Sequence, residues 1–594
     1  RSYSCANRIP SPTPGKAVTM RILLLTHSFN SLTQRLHAEL IADGHELSVE
    51  FDIADSVTEE AVALFAPDLV LASFLKRAVP ESVWRRVPTL IVHPGIVGDR
   101  GPAALDHAIQ QGLADWGVTV LQAEAEMDAG PVWGHAEFPL RAGATKASTY
   151  RNEVTTAALT AVREALAHYP DWRAGRWQPR AQDYADPAVR GRPHAPMTQA
   201  DRALDWAAMS TREILARLHA ADGFPGVLDT LFGLPCRLFD AHPGPRIPDA
   251  TPGTVVGRRH DALLRATRDA SVWIGHVRRA DHAHPFKLPA ALAFAAEAAG
   301  LPELDDAQPA CPDIAYRESA DGRIGFLAFD FYNGAMGTPE CERLTAAVHA
   351  ARARPTKVLV LTGGHDFWSN GIHLGRIEAA ASPADESWRN INAMDDLCLA
   401  LLETTDRLTV AALRGNAGAG GCFLALACDE VWARDGVVLN PHYKNMGNLF
   451  GSEYWTYLLP RRVGEAGAAR IMRERLPLTA RLAAERGLID RVFGGTVEAF
   501  EAELQRHADD LAATAIEDRI AAKAAGRAAD EAAKPLSAYR AEELAAMRRN
   551  FYGFDPSYHV ARYHFVMKTP HSWTPRHLAR HREPGWRSFA QEAA

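Results

Sequence analysis

Short apolar runs alternate with amphipathic stretches from Met20 onward. The run RILLLTH (21–27) is typical of a buried strand, and the stretch SLTQRLHAELIADGH after it predicts a helix. Further strand-like runs follow at 67–73, 88–95 and 117–127. Strands that alternate with helices predict a mostly parallel α/β sheet, which binds its ligands at the carboxyl ends of its strands. His93 and Asp128 fall at such ends and are candidate site residues.

The pattern changes twice farther along the chain. After a stretch rich in Pro, Arg and Gly, several short strands with turn signals predict a small OB-like β-barrel. A proline-rich segment, a second α/β pattern and an Ala- and Glu-rich helical region follow, and 594 residues are too many for one core. We predict a disordered leader (1–19), a Rossmann-like domain (20–190), the small barrel (197–285), a linker (286–312), a second α/β domain (313–495) and a helical C-terminal extension (496–594).

Charge and cysteine content argue against several functions. The net charge is −7 and the pI about 6.4, whereas a dedicated binder of nucleic acid or anionic membranes normally carries a basic excess. The seven cysteines form no CxxC pair, which favours a reduced chain and predicts no metal site. No apolar stretch reaches the roughly 18–20 residues that span a bilayer. These features predict a soluble cytoplasmic enzyme with small-molecule substrates.

The first candidate site lies in LIVHPGIVGDRGPAALDHAIQQGLADWGVTVLQAEAEMDAGPVW (90–133). This stretch resembles the catalytic region of the 10-formyltetrahydrofolate-dependent transferases and hydrolases, in which Asn-x-His ends a strand and Met-Asp-x-Gly-Pro follows. The resemblance implies that His93 stabilises the formyl oxygen or moves a proton, and that Asp128 fixes the imidazole or accepts a proton. Without this resemblance, His93 and Asp128 would be interpreted as a structural histidine at a strand end and a carboxylate in a turn.

Ile91 departs from this family's pattern because it takes the place of the Asn. An isoleucine side chain donates no hydrogen bond to a developing oxyanion, a loss that typically costs about 2.7–4 kcal/mol. An intrinsically strong acceptor tolerates such a loss best, and a thiol is already a few per cent thiolate at neutral pH. Ile91 therefore favours a thiol over an amine or water as the formyl acceptor.

The second candidate site lies in two motifs, GHDFWSNGIHLGRIE (364–378) and LRGNAGAGGCFLALACDEVWA (413–433). They resemble the two signatures of the crotonase (enoyl-CoA hydratase/isomerase) family, and the resemblance covers the second α/β domain. It implies that the backbone N–H groups of Ile372 and Gly420 form an oxyanion hole for a thioester carbonyl. Glycines at 420 and 421 let the backbone approach a ligand, and the helix that begins there directs its free N–H groups at the oxyanion.

The usual hydratase acids are absent from these motifs. Phe423 and His442 occupy the places of two glutamates, so hydration is not expected. The segment HYKNMGNLFGSEYW supplies polar groups instead, and we expect Tyr443 and Glu453 to be the acid/base pair. The alternative is that Tyr443 is packed, Glu453 caps a helix and His442 is structural. The other residues predicted to line substrate pockets are Ile91, Phe423, His442, Gly421, Gly451 and Ser452.

Coenzyme A is the most economical link between the two predicted sites. It would accept the formyl group of 10-formyltetrahydrofolate in the first domain, and Glu453 and Tyr443 would then release CO from formyl-CoA. The arrangement from Met20 to the aromatic and His-rich segment 551–582 resembles the HypX (HoxX)-type hydrogenase maturation proteins. That resemblance implies that CO becomes an iron ligand of a [NiFe]-hydrogenase and that hydrogenase maturation proteins are partners.

Two other functions stay open at this point. One is a folate-dependent formyltransferase whose second half deacylates or isomerises an acyl-CoA. The other is a non-catalytic folate- and CoA-sensing scaffold, with both halves degenerate at Ile91, Phe423 and His442. Release of CO from formyl-folate and CoA, release of formate alone, and tight CoA binding without turnover distinguish the three.

Overall fold

The computed structural model describes residues 19–283, 285–304 and 313–586. Residues 1–18 of the predicted leader lie outside the described residues. The described chain forms a mixed α/β structure with three sheet-containing regions followed by helices. This architecture confirms the predicted α/β fold class and the helical C-terminal region.

The N-terminal region is a six-stranded mixed sheet with helices on its faces. Its strands are β1 (Arg21–Thr26), β2 (Glu46–Phe51), β3 (Leu69–Phe74), β4 (Thr89–His93), β5 (Asp115–Gln122) and β6 (Val132–Pro139). Its helices are α1 (Ser31–Ala42), α2 (Asp55–Phe65), α3 (Glu81–Trp84), α4 (Ala104–Gln110), α5 (Lys146–Thr149) and α6 (Thr155–Arg173), with a π-helical turn at Tyr150–Val154. The order is β2-β1-β3-β4-β5-β6, with β1 to β4 parallel and the last two strands antiparallel. The carboxyl end of β4 carries His93.

The second region is an antiparallel sheet with one long helix beside it. It contains α7 (Thr211–Ala221), β7 (Val227–Leu231), β8 (Leu234–Gly244), β9 (Val255–Arg259), β10 (Ala262–Ala266), β11 (Ser271–Arg279) and β12 (Lys287–Pro289). The order is β7-β8-β11-β10-β9, and β12 pairs with β11. Within the described residues no pairing joins β7 to β9, so closure into the predicted OB-like barrel is not confirmed. Ser210 and Glu213 form a capping box at the start of α7.

Part of the predicted linker at 286–312 is folded. After β12 come two short helices, α8 (Ala290–Ala293) and α9 (Ala295–Ala298). Ala290 and Phe294 are fully buried in the core that contains the strands of the antiparallel sheet. One of the prolines of this segment, Pro289, ends β12 and directly precedes α8, which the composition alone does not distinguish from a linker. Residues 305–312 of the predicted linker lie outside the described part of the chain.

The third region contains two sheets and the helices that pack with them. Its strands are β13 (Ile314–Glu318), β14 (Ile324–Phe329), β15 (Val358–Thr362), β16 (Phe367–Ser369), β17 (Leu408–Leu413), β18 (Asn416–Gly418), β19 (Glu430–Arg434), β20 (Val438–Asn440), β21 (Leu478–Thr479) and β22 (Arg491–Phe493). Its helices are α10 (Thr338–Arg352), α11 (Leu374–Ala379), α12 (Pro383–Leu402), α13 (Gly420–Leu426), α14 (Trp455–Glu474) and α15 (Ala480–Glu485). One sheet runs β13-β14-β15-β17-β19-β22 and the other β16-β18-β20-β21. The loops after β16 and β18 meet at the start of α13.

Four helices complete the described chain and return it to the first sheet. They are α16 (Val497–Ala513), α17 (Ile516–Ala533), α18 (Leu536–Tyr552) and α19 (Ser557–Met567). Helix α18 packs against α12 and α14. Beyond α19, His581 and Arg582 bind the buried carboxylate of Glu50 in β2, at 2.9 and 2.7 Å, and Thr574 donates to the same carboxylate. The C-terminal segment therefore packs against the sheet of the N-terminal region.

Candidate active sites

His93 lies at the end of β4 between two carboxylates. Its Nε2 is 2.8 Å from Asp99 Oδ1, and its Nδ1 is 3.7 Å from Asp128 Oδ1. An ionised Asp99 only accepts hydrogen bonds, so this contact places a hydrogen on Nε2 and directs Nδ1 toward Asp128. Asp128 adopts a left-handed backbone conformation (φ 55°) and accepts a hydrogen bond from the Gly101 amide at 3.2 Å. The structure thus brings together His93 and Asp128, as expected, and adds Asp99.

Gly95 is the residue that lets the histidine and Asp99 meet. A methyl group on its Cα would lie 2.4 Å from His93 Nε2 and 2.6 Å from Asp99 Oδ1. Ile91 lies two residues before His93 on β4, so alternation places both side chains on one face of the sheet. The Ile91 side chain is partly buried and packs against the apolar cluster on that face. Its place in a substrate pocket stays a prediction.

A short segment of the first domain reaches the second candidate site. Ser148 Oγ and Arg151 Nη1 donate to the Asp366 carboxylate at 2.6 and 3.1 Å. Asp366 directly precedes β16, whose following loop contains Ile372. The neighbouring Tyr150 ring packs edge-on against Phe74 at the end of β3, with 6.3 Å between the ring centres. This π-helical turn, a feature often found at functional sites, therefore contacts both halves of the molecule.

The loops after β16 and β18 bring two unbonded backbone amides together. An added Cβ on Gly371 would lie 3.3 Å from the Gly420 nitrogen, so the two loops are in close contact. Neither the Ile372 nor the Gly420 N–H donates a hydrogen bond to any acceptor in the described part of the chain. Gly420 also begins α13, where the helix dipole favours negative charge. This geometry suits the predicted oxyanion hole.

The Glu453 carboxyl lies beside this pair of amides and is bound to Tyr443. A methyl group on Gly420 would come 2.0 Å from Glu453 Oε1, and the Tyr443 hydroxyl donates to Glu453 Oε2 at 2.6 Å. Gly451 lies flat against the Tyr443 ring, since an added Cβ there would be 2.1 Å from two ring carbons. The predicted acid/base pair is therefore in direct contact, with the amide of Gly420 next to it.

Burial changes the acidity of both groups. The pKa of Glu453 is raised to about 8, first by burial and then by the negative charge of Asp395. Burial, followed by the charge of Glu453, raises the pKa of Tyr443 well above its usual value. A carboxyl with a pKa near neutrality suits proton abstraction, because it is ionised in part and binds the proton it receives. The tyrosine stays protonated and can donate.

Phe423 and His442 are both buried. The Phe423 ring is fully buried and stacks on the Tyr443 ring, 5.3 Å between centres. His442 is buried with neither ring nitrogen bonded to any described group. Burial first, and then the charges of His577 and Arg475, lowers the pKa of His442 to about 4. The charged groups that shift the pKa of His442 thus differ from those that shift the pKa of Glu453. The role of His442 in a substrate pocket stays a prediction.

Three further carboxylates lie at the candidate sites and have little or no signal in the sequence. Asp99 carried a weak signal, since it follows the Gly-rich loop six residues after His93. Asp395 in α12 and Glu543 in α18 bind the backbone around Glu453. Each has an acidic neighbour in sequence, and no pattern distinguished the buried acid from the exposed one. Predicted site residues Gly421 and Ser452 are both buried, and Gly421 accepts a hydrogen bond from Trp368 Nε1 at 2.9 Å.

The residues that the structure describes contain neither a metal-binding cluster nor a membrane-spanning helix. No group of three or more His, Cys, Asp or Glu side chains there is arranged to hold a metal ion. None of the helices in that part of the chain combines the length and the apolar character needed to cross a bilayer.

Three known families match successive parts of the chain. The formyl transferase family matches residues 45–166, and the formyl transferase C-terminal domain matches residues 196–284. The enoyl-CoA hydratase/isomerase family matches residues 335–576. These matches confirm the two halves predicted from the sequence motifs.

Full-length relatives combine the same halves. The chain is 57% identical over 563 residues to the hydrogenase maturation factor HoxX of Bradyrhizobium diazoefficiens, across 95% of this chain and 97% of that protein. It is 46% identical to HypX from Aquifex aeolicus, whose crystal structure in complex with tetrahydrofolic acid superimposes with a TM-score of 0.90 over 95% of this chain and 99% of that one. A methionyl-tRNA formyltransferase of Burkholderia thailandensis is 30% identical over 181 residues, 30% of this chain and 52% of that protein. The full-length matches confirm the resemblance found in the sequence.

Proposed function

Because the chain belongs to the HoxX/HypX family of hydrogenase maturation factors, we propose that it makes carbon monoxide from a folate-bound formyl group in two steps. The first transfers the formyl group of 10-formyltetrahydrofolate to coenzyme A. The second removes CO from formyl-CoA and regenerates the thiol. The CO then serves as the iron ligand of a [NiFe]-hydrogenase. The tetrahydrofolic acid bound by Aquifex HypX supports folate as the formyl carrier.

In the first step the CoA sulfur attacks the formyl carbon. The C–S bond forms, the bond from carbon to N10 breaks, and N10 takes a proton as tetrahydrofolate leaves. Asp128 accepts the thiol proton and passes it to Nδ1 of His93, 3.7 Å away, which delivers it to N10, so both residues return to their starting protonation states. Asp99 holds the imidazole in this orientation through its 2.8 Å contact with Nε2. Ile91 offers no oxyanion hydrogen bond, which agrees with a strong sulfur nucleophile.

Charged groups at the junction of the domains support a shared CoA. Burial and, to a lesser extent, the charge of Arg151 lower the pKa of Lys287 to about 8 against the opposing charge of Asp222. Burial and the charge of Arg151 also lower the pKa of Lys568. Arg151 is therefore close enough to influence two lysines from other parts of the chain. A cluster of three cations attracts phosphate groups such as those of CoA. A CoA held there by its phosphates would leave its thiol arm free to visit both sites.

In the second step Glu453 takes the hydrogen on the formyl carbon. The electron pair of that C–H bond stays on carbon, the C–S bond breaks toward sulfur, and CO leaves. The Tyr443 hydroxyl gives its proton to the sulfur, and the proton held by Glu453 restores the tyrosine across their 2.6 Å hydrogen bond. The free amides of Ile372 and Gly420 polarise the formyl carbonyl. No water or oxidant is consumed.

The contact between Glu453, Tyr443 and Gly420 is the observation on which this function rests. In this proposal the Glu453 carboxyl is the base and the Tyr443 hydroxyl the proton donor, next to Gly420 and in a site without the usual hydratase acids. The test is to supply ¹³C-formyl-labelled 10-formyltetrahydrofolate with a small amount of CoA and to measure ¹³CO in the headspace. We expect CO equal to the tetrahydrofolate formed, with many turnovers per CoA. Formate as the sole one-carbon product would instead support a formyltransferase joined to a deacylase.

A further inference from the structure

Three buried carboxyl groups surround the backbone turn that carries Glu453. Asp395 comes from α12, Glu453 from the loop before α14, and Glu543 from α18. All three are at most 1% exposed. Only Glu453 has a chemical role in the second step, so the other two require an explanation. Burying a carboxyl group is costly, and such groups are retained where their hydrogen bonds are needed.

Asp395 binds the turn from one side. Its Oδ1 accepts a hydrogen bond from the Glu453 amide at 2.7 Å, and its Oδ2 accepts one from Ser452 Oγ at 2.9 Å. Arg540 Nε on α18 is 3.6 Å from the same Oδ2. The carboxyl of α12 thus contacts both the residue that carries the base and the residue before it.

Glu543 binds the turn from the other side. Its Oε2 accepts a hydrogen bond from the Tyr454 amide at 2.9 Å. Its Oε1 accepts two from Thr456, from the amide at 2.9 Å and the hydroxyl at 2.6 Å. These are the free N–H groups at the start of α14, where a carboxylate is favourable. This carboxylate belongs to the C-terminal extension, outside the predicted second α/β domain.

The conformation of the turn explains why it needs to be held from two sides. Glu453 and Tyr454 are consecutive residues in the left-handed region, with φ of 59° and 58°. Side-chain-bearing residues rarely adopt this region, and the conformation persists only when its surroundings enforce it. The same turn places the Glu453 carboxyl against Gly420. Releasing either side would let the carboxyl move away from the oxyanion hole.

We propose that Asp395 and Glu543 are positioning residues that hold Glu453 against Gly420, so that the C-terminal helical extension completes the second site. This inference rests on the proposed function for its catalytic meaning. It assigns a role to helix α18, which lies within the residues 335–576 that match the enoyl-CoA hydratase/isomerase family but far from the two sequence motifs at 364–378 and 413–433.

The same two carboxyls also act on Glu453 through their charge. The charge of Asp395 is the second cause of the raised Glu453 pKa after burial, and the charge of Glu543 adds to it. The other titratable or charged groups that face this cluster are Tyr443, Tyr454, Cys341 on α10, Cys398 and Asp396 on α12, and Arg540 on α18. Glu453 acts as a base only when ionised, so CO release rises with pH through its pKa. Removing a neighbouring negative charge lowers that pKa.

The test supplies formyl-CoA directly to the full-length chain and measures the rate of CO release from pH 5 to 9. For Asp395→Asn and Glu543→Gln we expect a rate at least about tenfold lower at the optimum, because the carboxyl is held less well. We also expect the rising limb to move to lower pH by about one unit. A residue that only stabilised the fold would lower the rate without moving the limb.

The chain offers a matched control for these substitutions. Glu542→Gln changes the exposed acid beside Glu543, which pairs with Lys534. It should keep the wild-type limb and rate. Circular dichroism shows which variants fold, and if Asp395→Asn does not, the limb of Glu543→Gln decides alone. A limb that stays in place in the folded variants overturns the inference.

A second readout separates this inference from the proposed function. The infrared band of the protonated Glu453 carboxyl, identified by its loss in Glu453→Gln, can be titrated without any substrate. If the wild type releases no CO from formyl-CoA, the proposed function fails. The positioning role is then still decided by the infrared midpoint, which must move to lower pH in Asp395→Asn and stay unchanged in Glu542→Gln.

Discussion

The Glu453 carboxyl lies against the Cα of Gly420, so closely that a methyl group there would come 2.0 Å from Oε1. The proposed base of the second site is thus adjacent to one of the two amides that would bind the formyl oxygen. Formyl-CoA is small at its reacting end, with hydrogen as the only substituent on the carbonyl carbon. A base this close to the oxyanion hole can reach that hydrogen, whereas a bulkier acyl group would need the same space.

Gly420→Ala tests this contact. The new methyl group would displace the Glu453 carboxyl, and we expect CO release from formyl-CoA to fall by about 10²-fold or more. Transfer of the formyl group to CoA should keep its wild-type rate. The matched control is Gly526→Ala in α17, where an added Cβ meets nothing within 4 Å. This control should keep full activity and gain about 0.5–1 kcal/mol of stability, measured by urea unfolding.

Tyr443→Phe removes the proposed proton donor and keeps the ring. The stacking on Phe423 is preserved, so the fold should be retained, while CO release should drop by about 10²–10⁴-fold. Tyr457→Phe is the control, because its hydroxyl binds Asp530 at 2.8 Å and makes no contact with Glu453. Equal rates for the two variants in a headspace CO assay would contradict the role of Tyr443.

His93→Asn separates the two steps. The variant loses the imidazole between Asp99 and Asp128, and we expect tetrahydrofolate formation from 10-formyltetrahydrofolate and CoA to fall by about 10²–10⁴-fold. CO release from supplied formyl-CoA should be unchanged, since this residue does not take part in the second step. His135→Asn, an exposed residue in β6, serves as the control for both assays.

The buried carboxyl cluster predicts a pH dependence of stability. The pKa of Glu453 is raised to about 8 and that of Asp395 to about 7, both chiefly by burial. A carboxyl whose pKa is raised on folding gives full stability below its unfolded pKa, and that stability is lost as pH rises through the folded value. Each unit of raised pKa corresponds to about 1.4 kcal/mol. The contribution of these two carboxyls to the free energy of unfolding should therefore fall between about pH 4.5 and 8.

Glu453→Gln should reduce that fall, because glutamine carries no proton to lose. Urea unfolding at pH 5 and pH 8 measures the difference for each protein, and Glu542→Gln, an exposed neighbour of the cluster, should match the wild type. A decline in Glu453→Gln as steep as in the wild type would show that this carboxyl does not titrate as described.

Much of the fold could be predicted because its central strands are apolar runs. β1, β4 and β15 are parallel strands buried in sheets, which leaves a clear signal in sequence. Closure of the antiparallel sheet depends on pairing between distant strands, which local patterns do not encode. The packing of Phe294 in the core of that sheet could not be predicted either, because the prolines around Phe294 resemble those of a linker.

The candidate sites divide along similar lines. His93, Asp128, Tyr443 and Glu453 stand in motifs or at departures from motifs, and the structure brings each pair together. Asp395 and Glu543 could not be predicted, because each lies next to an exposed acid in a helix of mixed composition. Which of two neighbouring acids faces inward is decided by the packing of α18 on α12, a contact between segments about 150 residues apart.

The proposed function requires that one sulfur-bound formyl group reacts at both sites. The Glu453→Gln variant tests this requirement, because it should trap formyl-CoA before CO is released. The variant is supplied with ¹³C-formyl-labelled 10-formyltetrahydrofolate and CoA, quenched in acid, and assayed for labelled formyl-CoA and ¹³CO. We expect formyl-CoA to accumulate while CO release falls by about 10²-fold or more. Wild-type CO release with no formyl-CoA at any time would contradict the proposed function.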